Sequence, residues 1–184
     1  RQAAMGAGLG QNVPCTTVNK VCSSGMKAIA LAAQVIQAGD AHVVVAGGME
    51  NMSMVPHYLD GRKGTKFGNI QVKDGMILDG LTDVYNATHM GNCAELCAKE
   101  KNITREEQDA FATASVRKAL EATQKGDFES EIVPVLVRTR RSETRVERDE
   151  EPYRCEIDKI PDMRPAFRRD GGTVTAASSS SISD

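Results

Sequence analysis

The residue best placed to do chemistry is Cys22, within Asn19-Lys20-Val21-Cys22-Ser23-Ser24-Gly25-Met26-Lys27. A loop of polar and small residues runs there into an apolar stretch, which places Cys22 at a predicted helix N-terminus. Unsatisfied N–H groups and the positive end of the helix dipole stabilise a thiolate at such a position. Cys22 is therefore a candidate nucleophile, and Gly25 would let a substrate or another segment approach. A buried structural cysteine is the alternative interpretation.

The other cysteines and the histidines carry weaker signals. Cys93 and Cys97 lie four residues apart, which would make half of a metal site, but no second pair of ligands follows at a suitable spacing. We expect packing roles for both cysteines and no metal site. His89 precedes a predicted helix, in a loop where its side chain can face a ligand. No local spacing joins Cys22 to a general base, so the fold would have to supply one.

Composition excludes several classes of protein. The 184 residues are 40% hydrophobic and 26% charged, as in ordinary globular proteins. The net charge of -2 creates no field that would attract nucleic acid or an anionic membrane. The apolar stretch Ala28–Ile36 is shorter than the roughly 20 residues that span a bilayer. We therefore expect neither nucleic acid nor a membrane as a partner, and the odd number of cysteines favours a reducing compartment.

The elements around Cys22 predict a layered α/β core. Residues 21–38 are apolar on nearly all sides and predict a buried helix that Gly39 ends. The run His42–Ala46, bounded by glycines, predicts a strand buried on both faces. From Met52 to about Leu81, repeated glycines break any regular pattern and predict a long surface excursion.

Two further helices are predicted downstream. The first covers about Met90 to Lys101. The second begins at a predicted capping box, in which the side chains of Thr104 and Glu107 each accept a hydrogen bond from the other residue's backbone N–H. Gly126 ends the second helix. The predicted apolar face of this second helix consists of Ala110, Phe111, Ala114 and Leu120.

The last third of the chain contains weaker patterns. Glu131–Val137 is strand-like, and Pro134 favours an edge position because proline cannot donate to a ladder. The charged residues 138–151 predict a solvated hairpin or loop. Gly171–Ser178 predicts a turn entering a small-residue segment that another group approaches closely.

Several motifs of the chain resemble the thiolase family, in its biosynthetic acetoacetyl-CoA branch. They occur in family order across nearly the whole chain, which makes the resemblance specific. It implies an α/β thiolase fold, layered αβαβα in the intact protein, with residues 1–51 as part of the N-terminal domain that bears the nucleophile and residues 52–182 as the loop domain over the CoA site. The motifs are Pro14–Ala28, Val45–Ser53, Asp79–Asp83, His89–Glu95 and Gly172–Ala176.

The resemblance implies an acyltransferase that condenses two acetyl-CoA to acetoacetyl-CoA and CoA. Cys22 would carry the acetyl group as a thioester, and the reverse reaction would be thiolysis. Acetyl-CoA and acetoacetyl-CoA are the implied small-molecule partners, and no cofactor is expected because coenzyme A enters as substrate and leaves as product. The implied assembly is a homodimer or homotetramer, in mitochondria or the cytoplasm.

The resemblance also assigns residues to the CoA site. Leu81, His89 and Met90 would line the pantetheine and acyl pocket. Ala176 and Ser180 would contact the pantetheine. Arg154 and Lys159 would meet the nucleotide end of CoA, although plain surface charges are the alternative interpretation for these two.

The chain departs from the family at three points. Its 184 residues contain neither the Gly-His-Pro motif nor the late Cys-x-Gly motif, and they start at Arg1, so we expect an internal fragment that lacks the C-terminal domain and is inactive alone. Ser178-Ser179-Ser180 replaces the usual Asn-Ala-Ser. Val116 falls where potassium-activated members carry a tyrosine. Two alternative functions stay open: a ketoacyl-synthase-like condensing enzyme and a non-catalytic CoA-binding thiolase-like module.

Overall fold

The computed structural model describes residues 1–62 and 64–183. The chain divides into two compact units, the first comprising residues 1–80 with Ser183 and the second Leu81–Ile182. The predicted assignment of residues 1–51 and 52–182 to two family domains is a different division, and it stays a prediction.

Helix α1 (Gln2–Gly6) and helix α2 (Ser24–Ala38) belong to the first unit. Gly39 ends α2 in the left-handed conformation, with φ of 82° and its N–H 3.1 Å from the carbonyl oxygen of Ile36. The predicted helix and its stop are confirmed, but the helix begins at Ser24 and not at residue 21. Its predicted burial is wrong, since Met26 is 75% exposed and none of its residues is buried. An apolar helix is buried only where other elements pack on it, and the described residues of this unit leave α2 uncovered.

The stretch Val21–Ala38 satisfies the length and composition criteria of a membrane-spanning segment, with a mean hydropathy of 1.2 over 18 residues. The same criteria are met by core helices of soluble domains. Helix α2 covers 15 of these residues and rises about 22 Å, which is less than the roughly 30 Å of a bilayer hydrocarbon core. The expectation that a membrane is not a partner stays a prediction.

The predicted buried strand at His42–Ala46 does not form. Residues 41–50 have no regular secondary structure, and Val43 and Val45 are 85% and 90% exposed. A strand buried on both faces needs a hydrogen-bonded neighbour and covering layers, and the described residues provide no pairing partner for this segment. The β-branched run therefore stays extended and open.

The glycine-rich stretch after Met52 contains more regular structure than its sequence predicts. A 3₁₀ turn (Met52–Met54) precedes the antiparallel pair β1 (His57–Leu59) and β2 (Val72–Asp74), and a π-helical turn covers Met76–Gly80. The hydroxyl of Tyr58 donates to the carboxylate of Asp79 at 2.7 Å. This hydrogen bond holds the hairpin against the turn and raises the pKa of the Tyr58 phenol.

Two helices form the centre of the second unit. After a short antiparallel pair, β3 (Thr82–Asp83) and β4 (Thr88–His89), come α3 (Met90–Lys101) and α4 (Arg105–Lys125). The bounds of α3 are those that the sequence predicts. The capping box of α4 is also confirmed, because the N–H of Glu107 donates to the Thr104 hydroxyl at 3.2 Å and the Glu107 carboxylate accepts from the Thr104 N–H at 2.8 Å.

The core of the second unit differs from the predicted apolar face of α4. Phe111 is 79% exposed, whereas Ala112 and Asp109 are buried. The buried side of α4 is therefore the side of Asp109 and Ala112, and not the side that the spacing of its apolar residues predicts. The buried residues of this unit lie on α3, on α4 and in two segments further along the chain: Gly91, Glu95, Ala98, Asp109, Ala112, Ile160, Val174 and Thr175.

Arg105 explains the inward face of α4. Its Nε donates to one oxygen of the Asp109 carboxylate at 2.8 Å, which compensates part of the cost of burying that charge. Its Nη2 donates to the carbonyl oxygens of Ile160 at 3.0 Å and Met163 at 2.8 Å. These bonds fix the 3₁₀ helix Ile157–Asp162 against α4, so that the Ile160 side chain becomes fully buried.

The remaining strands form an exposed hairpin. β5 (Val135–Arg138) pairs antiparallel with β6 (Glu143–Val146), and the short helix α5 (Glu151–Arg154) follows. The strand begins after Pro134, and the predicted charged hairpin is confirmed.

Replacing Thr104 with alanine is expected to loosen the first turn of α4. The loss of one capping hydrogen bond costs about 1 kcal/mol. Amide hydrogen exchange should therefore become about fivefold faster at Glu107. Thr104→Ser keeps the hydroxyl and is the control. Equal protection of Glu107 in the alanine and serine variants would contradict the prediction.

Candidate functional site

Cys22 is presented by a strained turn. Val21, directly before it, has φ of 51°, a left-handed conformation that is unfavourable for a β-branched residue. The turn is held from both sides, because the N–H of Val21 donates to the Asn19 side chain at 2.9 Å and the Ser24 hydroxyl donates to the Val21 carbonyl at 2.6 Å. Strain of this kind persists where the surroundings fix it, and it is frequent at functional sites.

The helix start beside Cys22 is open. Ser23 occupies the N-cap position, and its side chain makes no capping hydrogen bond. The positive end of α2 is therefore available to a negatively charged group. The exposed Cys22 thiol lies directly before this N-cap, in the position that the sequence predicts for it.

Gly25 admits a second segment, as the sequence predicts. A Cβ atom at Gly48 would lie 3.5 Å from the Cα atom of Gly25. This distance is ordinary van der Waals contact for the added atom, so the backbone of Gly48 lies close to the first turn of α2. The predicted strand at 42–46 does not form, but the glycine pair that follows it still lies beside the first turn of α2.

The second unit brings Leu81, His89 and Met90 together. Thr82 pairs with His89 across β3 and β4, and the N–H of Met90 donates to the carbonyl oxygen of Leu81 at 2.9 Å. The hairpin thus joins three predicted pocket residues that are separated by up to nine positions in the sequence.

His89 forms the N-cap of α3. Its Nδ1 accepts a hydrogen bond from the N–H of Gly91 at 3.0 Å. An imidazole nitrogen that accepts cannot carry the proton, so this geometry assigns the neutral ring the tautomer with hydrogen on Nε2. His89 then offers an Nε2–H donor to a ligand, in an orientation fixed by the helix start.

Phe167 is a neighbour of this site that the sequence reasoning missed. Its ring stacks on His89, with centroids 5.1 Å apart and planes 24° apart. Gly91 makes the stacking possible, because a Cβ atom there would lie 2.2 Å from the Phe167 ring. The chain contains only four phenylalanines, and this scarcity is the sequence signal that would have pointed to Phe167.

Ala176 and Ser180 follow a buried segment. The carbonyl oxygen of Val174 accepts from the N–H of Ala166 at 2.9 Å, which ties this segment to the residue before Phe167. The Ser178 hydroxyl accepts from the N–H of Thr175 at 3.0 Å. The serine that replaces the family's asparagine therefore closes a tight local turn.

An open groove of about 690 Å³ lies between α3, α4 and the serine-rich turn. Ser180 lines this groove, whereas Leu81, His89, Met90 and Ala176 do not. Its other walls include Cys97, Phe111 and Ala112. The groove and the predicted pantetheine pocket thus share Ser180 and are otherwise separate surfaces of the unit.

Arg154 and Lys159 are exposed and paired with glutamates of their own segments. The Arg154 guanidinium binds Glu150, and Lys159 Nζ lies 2.5 Å from the Glu156 carboxylate. Both cationic side chains are 66% exposed, so these ion pairs contribute little to the stability of the fold. Among the described residues, no hydrogen bond or ion pair joins either side chain to His89 or Met90.

The other cysteines of the chain are free thiols, like Cys22. Cys97 is exposed on α3, and Cys93 and Cys155 are half-buried. Within the described ranges, no group of three or more His, Cys, Asp or Glu side chains is arranged to hold a metal ion. The expectation that the protein uses no metal stays a prediction.

Asp83 gives the β3–β4 hairpin a pH dependence. Its carboxylate accepts from the Asn86 side chain at 2.6 Å and from the N–H of Tyr85 at 3.0 Å, and these bonds lower the pKa of Asp83. A lowered pKa in the folded state means that the stabilisation is present above the unfolded pKa and is lost as the pH falls through the folded one.

Replacing Asn86 with alanine is expected to raise the pKa of Asp83 towards its ordinary value, and to reduce the acid-induced weakening of the hairpin. The carboxyl ¹³C shift of Asp83, followed by NMR through an acid titration, measures this midpoint. Asn92→Ala is the control, because the Asn92 side chain donates to Thr88 instead. An unchanged midpoint in the Asn86 variant would contradict the prediction.

Comparisons with known proteins agree with the motifs. The family model "Thiolase, N-terminal domain" matches residues 1–184. Acetyl-CoA acetyltransferase 2 of Arabidopsis thaliana is 54% identical over 187 residues, which cover 100% of this chain and 46% of that protein. The mitochondrial acetyl-CoA acetyltransferase of Bos taurus is 50% identical over 185 residues, covering 100% of this chain and 44% of that protein. The chain thus spans less than half the length of these curated relatives.

A solved structure agrees as well. The crystal structure of the Acat5 thiolase from Ascaris suum in complex with coenzyme A is 42% identical, with a TM-score of 0.84 over 95% of this chain and 44% of that chain. The predicted α/β thiolase fold is thereby confirmed. Because the model of the thiolase N-terminal domain matches residues 1–184, the chain belongs to the thiolase family.

Proposed function

We propose that the protein is an acetyl-CoA acetyltransferase in which Cys22 is the nucleophile. The observation that carries this proposal is the position of Cys22, which follows the strained residue Val21 and precedes the uncapped start of α2. Relatives about half identical over the whole chain are named acetyl-CoA acetyltransferases, which supports the same activity here.

In the first step, the Cys22 thiolate attacks the carbonyl carbon of acetyl-CoA. A bond forms between the sulfur of Cys22 and the acetyl group, the bond between that group and the CoA sulfur breaks, and CoA leaves as a thiolate that takes up a proton. Backbone N–H groups at the start of α2 are suited to stabilise the negative charge that develops on the carbonyl oxygen. The helix dipole acts in the same direction.

In the second step, a base removes a proton from the methyl group of another acetyl-CoA. The resulting carbanion attacks the acetyl group on Cys22, a carbon–carbon bond forms, and the bond to the Cys22 sulfur breaks. The products are acetoacetyl-CoA and the restored thiolate. The resemblance assigns the proton transfer to motifs that the 184 residues do not contain, so Cys22 is the reacting side chain assigned to this chain.

The second unit supplies the contacts with coenzyme A in this proposal. Leu81, His89 and Met90 line the pantetheine and acyl pocket, and the tautomer of His89 lets its Nε2–H donate to a carbonyl oxygen. Ala176 and Ser180 contact the pantetheine. Other groups of the proposed site, Arg154 and Lys159, exchange their exposed glutamate partners for the phosphates of the nucleotide.

The names of the relatives bear on the location of the protein. The Bos taurus relative is named as a mitochondrial protein, whereas the name of the Arabidopsis thaliana relative gives no compartment, and we place this protein in mitochondria or the cytoplasm. No cofactor is needed beyond the two CoA thioesters. Assembly as a homodimer or homotetramer stays a prediction from the family resemblance.

Acetylation of Cys22 tests the proposed function. The full-length natural protein is incubated with acetyl-CoA and examined by intact-mass and peptide mass spectrometry. We expect one acetyl group per chain, on the peptide that contains Cys22, and its removal on addition of CoA. No adduct, or an adduct on another cysteine, would overturn the proposal, and acetylation that CoA does not reverse would exclude a thiolase cycle.

A further inference from the structure

A buried glutamate on α3 holds the segment that leads to the proposed pantetheine contacts. Glu95 is 3% exposed, and each of its oxygens lies 3.0 Å from the N–H of Thr173. One oxygen also accepts from the N–H of Val174 at 3.0 Å, and the other accepts from the Thr173 hydroxyl at 3.2 Å. One side chain thus fixes two successive backbone N–H groups and a hydroxyl across 78 positions of sequence.

A carboxylate satisfies these donors better than an amide would. Two backbone N–H groups and the Thr173 hydroxyl all donate to Glu95, and a carboxylate has acceptor sites on both oxygens. A glutamine in its place would turn an NH₂ group towards the N–H of Thr173, leaving two donors face to face in a buried place. Hydrogen bonds to an ionised group are also the stronger class.

The same helix fixes the other side of the proposed pocket. His89 caps the N-terminus of α3, and Glu95 lies further along on the buried stripe of that helix, between Gly91 and Ala98. The helix therefore sets the distance between the His89–Met90 corner and the Thr173–Thr175 segment. Gln108 on α4 supports the arrangement, because its side chain donates to the Thr173 hydroxyl at 3.0 Å.

We infer that Glu95 is a positioning residue for coenzyme A. By anchoring Thr173 and Val174 to α3, it sets where Ala176 and Ser180 meet the pantetheine arm in relation to His89 and Met90. Glu95 does not touch the substrate and acts through this segment. The inference rests on the proposed function, which assigns Ala176 and Ser180 to the pantetheine.

Glu95→Gln in the full-length natural protein tests the inference. We expect the KM for CoA in acetoacetyl-CoA thiolysis to rise about tenfold or more, while kcat changes much less. The reason is that the substitution weakens binding of the pantetheine and leaves the reacting groups in place. Alkylation of Cys22 by iodoacetamide, which needs no pantetheine, should keep its wild-type rate. Glu100→Gln on the exposed side of the same helix is the matched control and should leave KM unchanged.

A second pair of variants decides the question if Glu95→Gln does not fold. Thr173→Val removes the hydroxyl between Glu95 and Gln108, whereas Thr173→Ser keeps it. The valine variant should raise the KM for CoA and the serine variant should not. Equal KM values for these two variants would overturn the inference.

The outcomes separate the inference from the proposed function. An unchanged KM in folded Glu95→Gln, with Cys22 still acetylated, would overturn the positioning role and leave the proposed function intact. A fall in kcat and in the alkylation rate together would assign Glu95 a general structural role instead. Absence of acetylation in the wild-type protein would overturn the proposed function itself.

Discussion

Replacing Cys22 with alanine in the full-length natural protein is expected to lower kcat for acetoacetyl-CoA thiolysis by at least about 10⁴-fold, because covalent catalysis through an acyl-enzyme is lost. CoA should still bind, since the proposed pantetheine contacts lie in the second unit. Steady-state kinetics gives the rate, and isothermal titration with CoA gives the affinity. Cys22→Ser is expected to be almost as slow, because a serine hydroxyl keeps its proton at neutral pH.

Cys15→Ala is the matched control for this experiment. Cys15 is another exposed thiol of the first unit, and it lies in a segment without regular structure, where its sulfur contacts the carbonyl oxygen of Val13. This variant should keep the wild-type kcat. A comparable loss in Cys15→Ala, or substantial activity in Cys22→Ala, would refute the role of Cys22 as nucleophile.

Replacing Gly91 with alanine is expected to break the packing of His89 on Phe167. The new Cβ atom would lie 2.2 to 2.4 Å from three carbon atoms of the Phe167 ring, so the ring or the start of α3 must move by about 1 Å or more. Overpacking of this kind costs about 1–3 kcal/mol. Urea unfolding should show this loss, and the KM for CoA should rise because a displaced helix start or Phe167 ring changes the position of His89.

Two further variants check the cause of this effect. Gly6, at the end of α1, faces open space, because no atom of the described residues would come within 4 Å of a Cβ atom added there. Gly6→Ala should therefore leave stability unchanged or slightly raised. In the double variant Gly91→Ala with Phe167→Leu, the smaller side chain should restore part of the lost stability, as expected for residues in direct contact. Additive losses in the double variant would contradict the proposed clash.

Local patterns predicted the three long helices of this chain, α2, α3 and α4, but not the short helices α1 and α5. The bounds of α3, the capping box at Thr104 and the left-handed glycine at Gly126 all follow from residues within a few positions of each other. Cys22 before a helix and His89 before another were found in the same way. Such features depend on backbone hydrogen bonds and caps that a short segment satisfies by itself.

Burial was predicted less well, because it depends on neighbours that a local pattern does not contain. The run Val43–Val45 has the composition of a buried strand, yet it lacks a pairing partner among the described residues. On α4, the aromatic ring of Phe111 faces outward and the charged Asp109 faces inward. The ion pair of Asp109 with Arg105, and the bonds of Arg105 to a segment more than fifty residues away, decide which side of the helix is covered.

The helix that follows Cys22 and the thiolase family were determined by the sequence alone, since a local pattern and the order of the motifs suffice for them. The role of Cys22 as nucleophile stays a proposal. The tertiary structure decided which side chains support the proposed pocket. Phe167 stacks on a histidine far from it in the chain, and Glu95 binds backbone N–H groups of Thr173 and Val174. Neither contact leaves a local pattern, because each needs two distant segments to meet and a buried polar group to be fully satisfied.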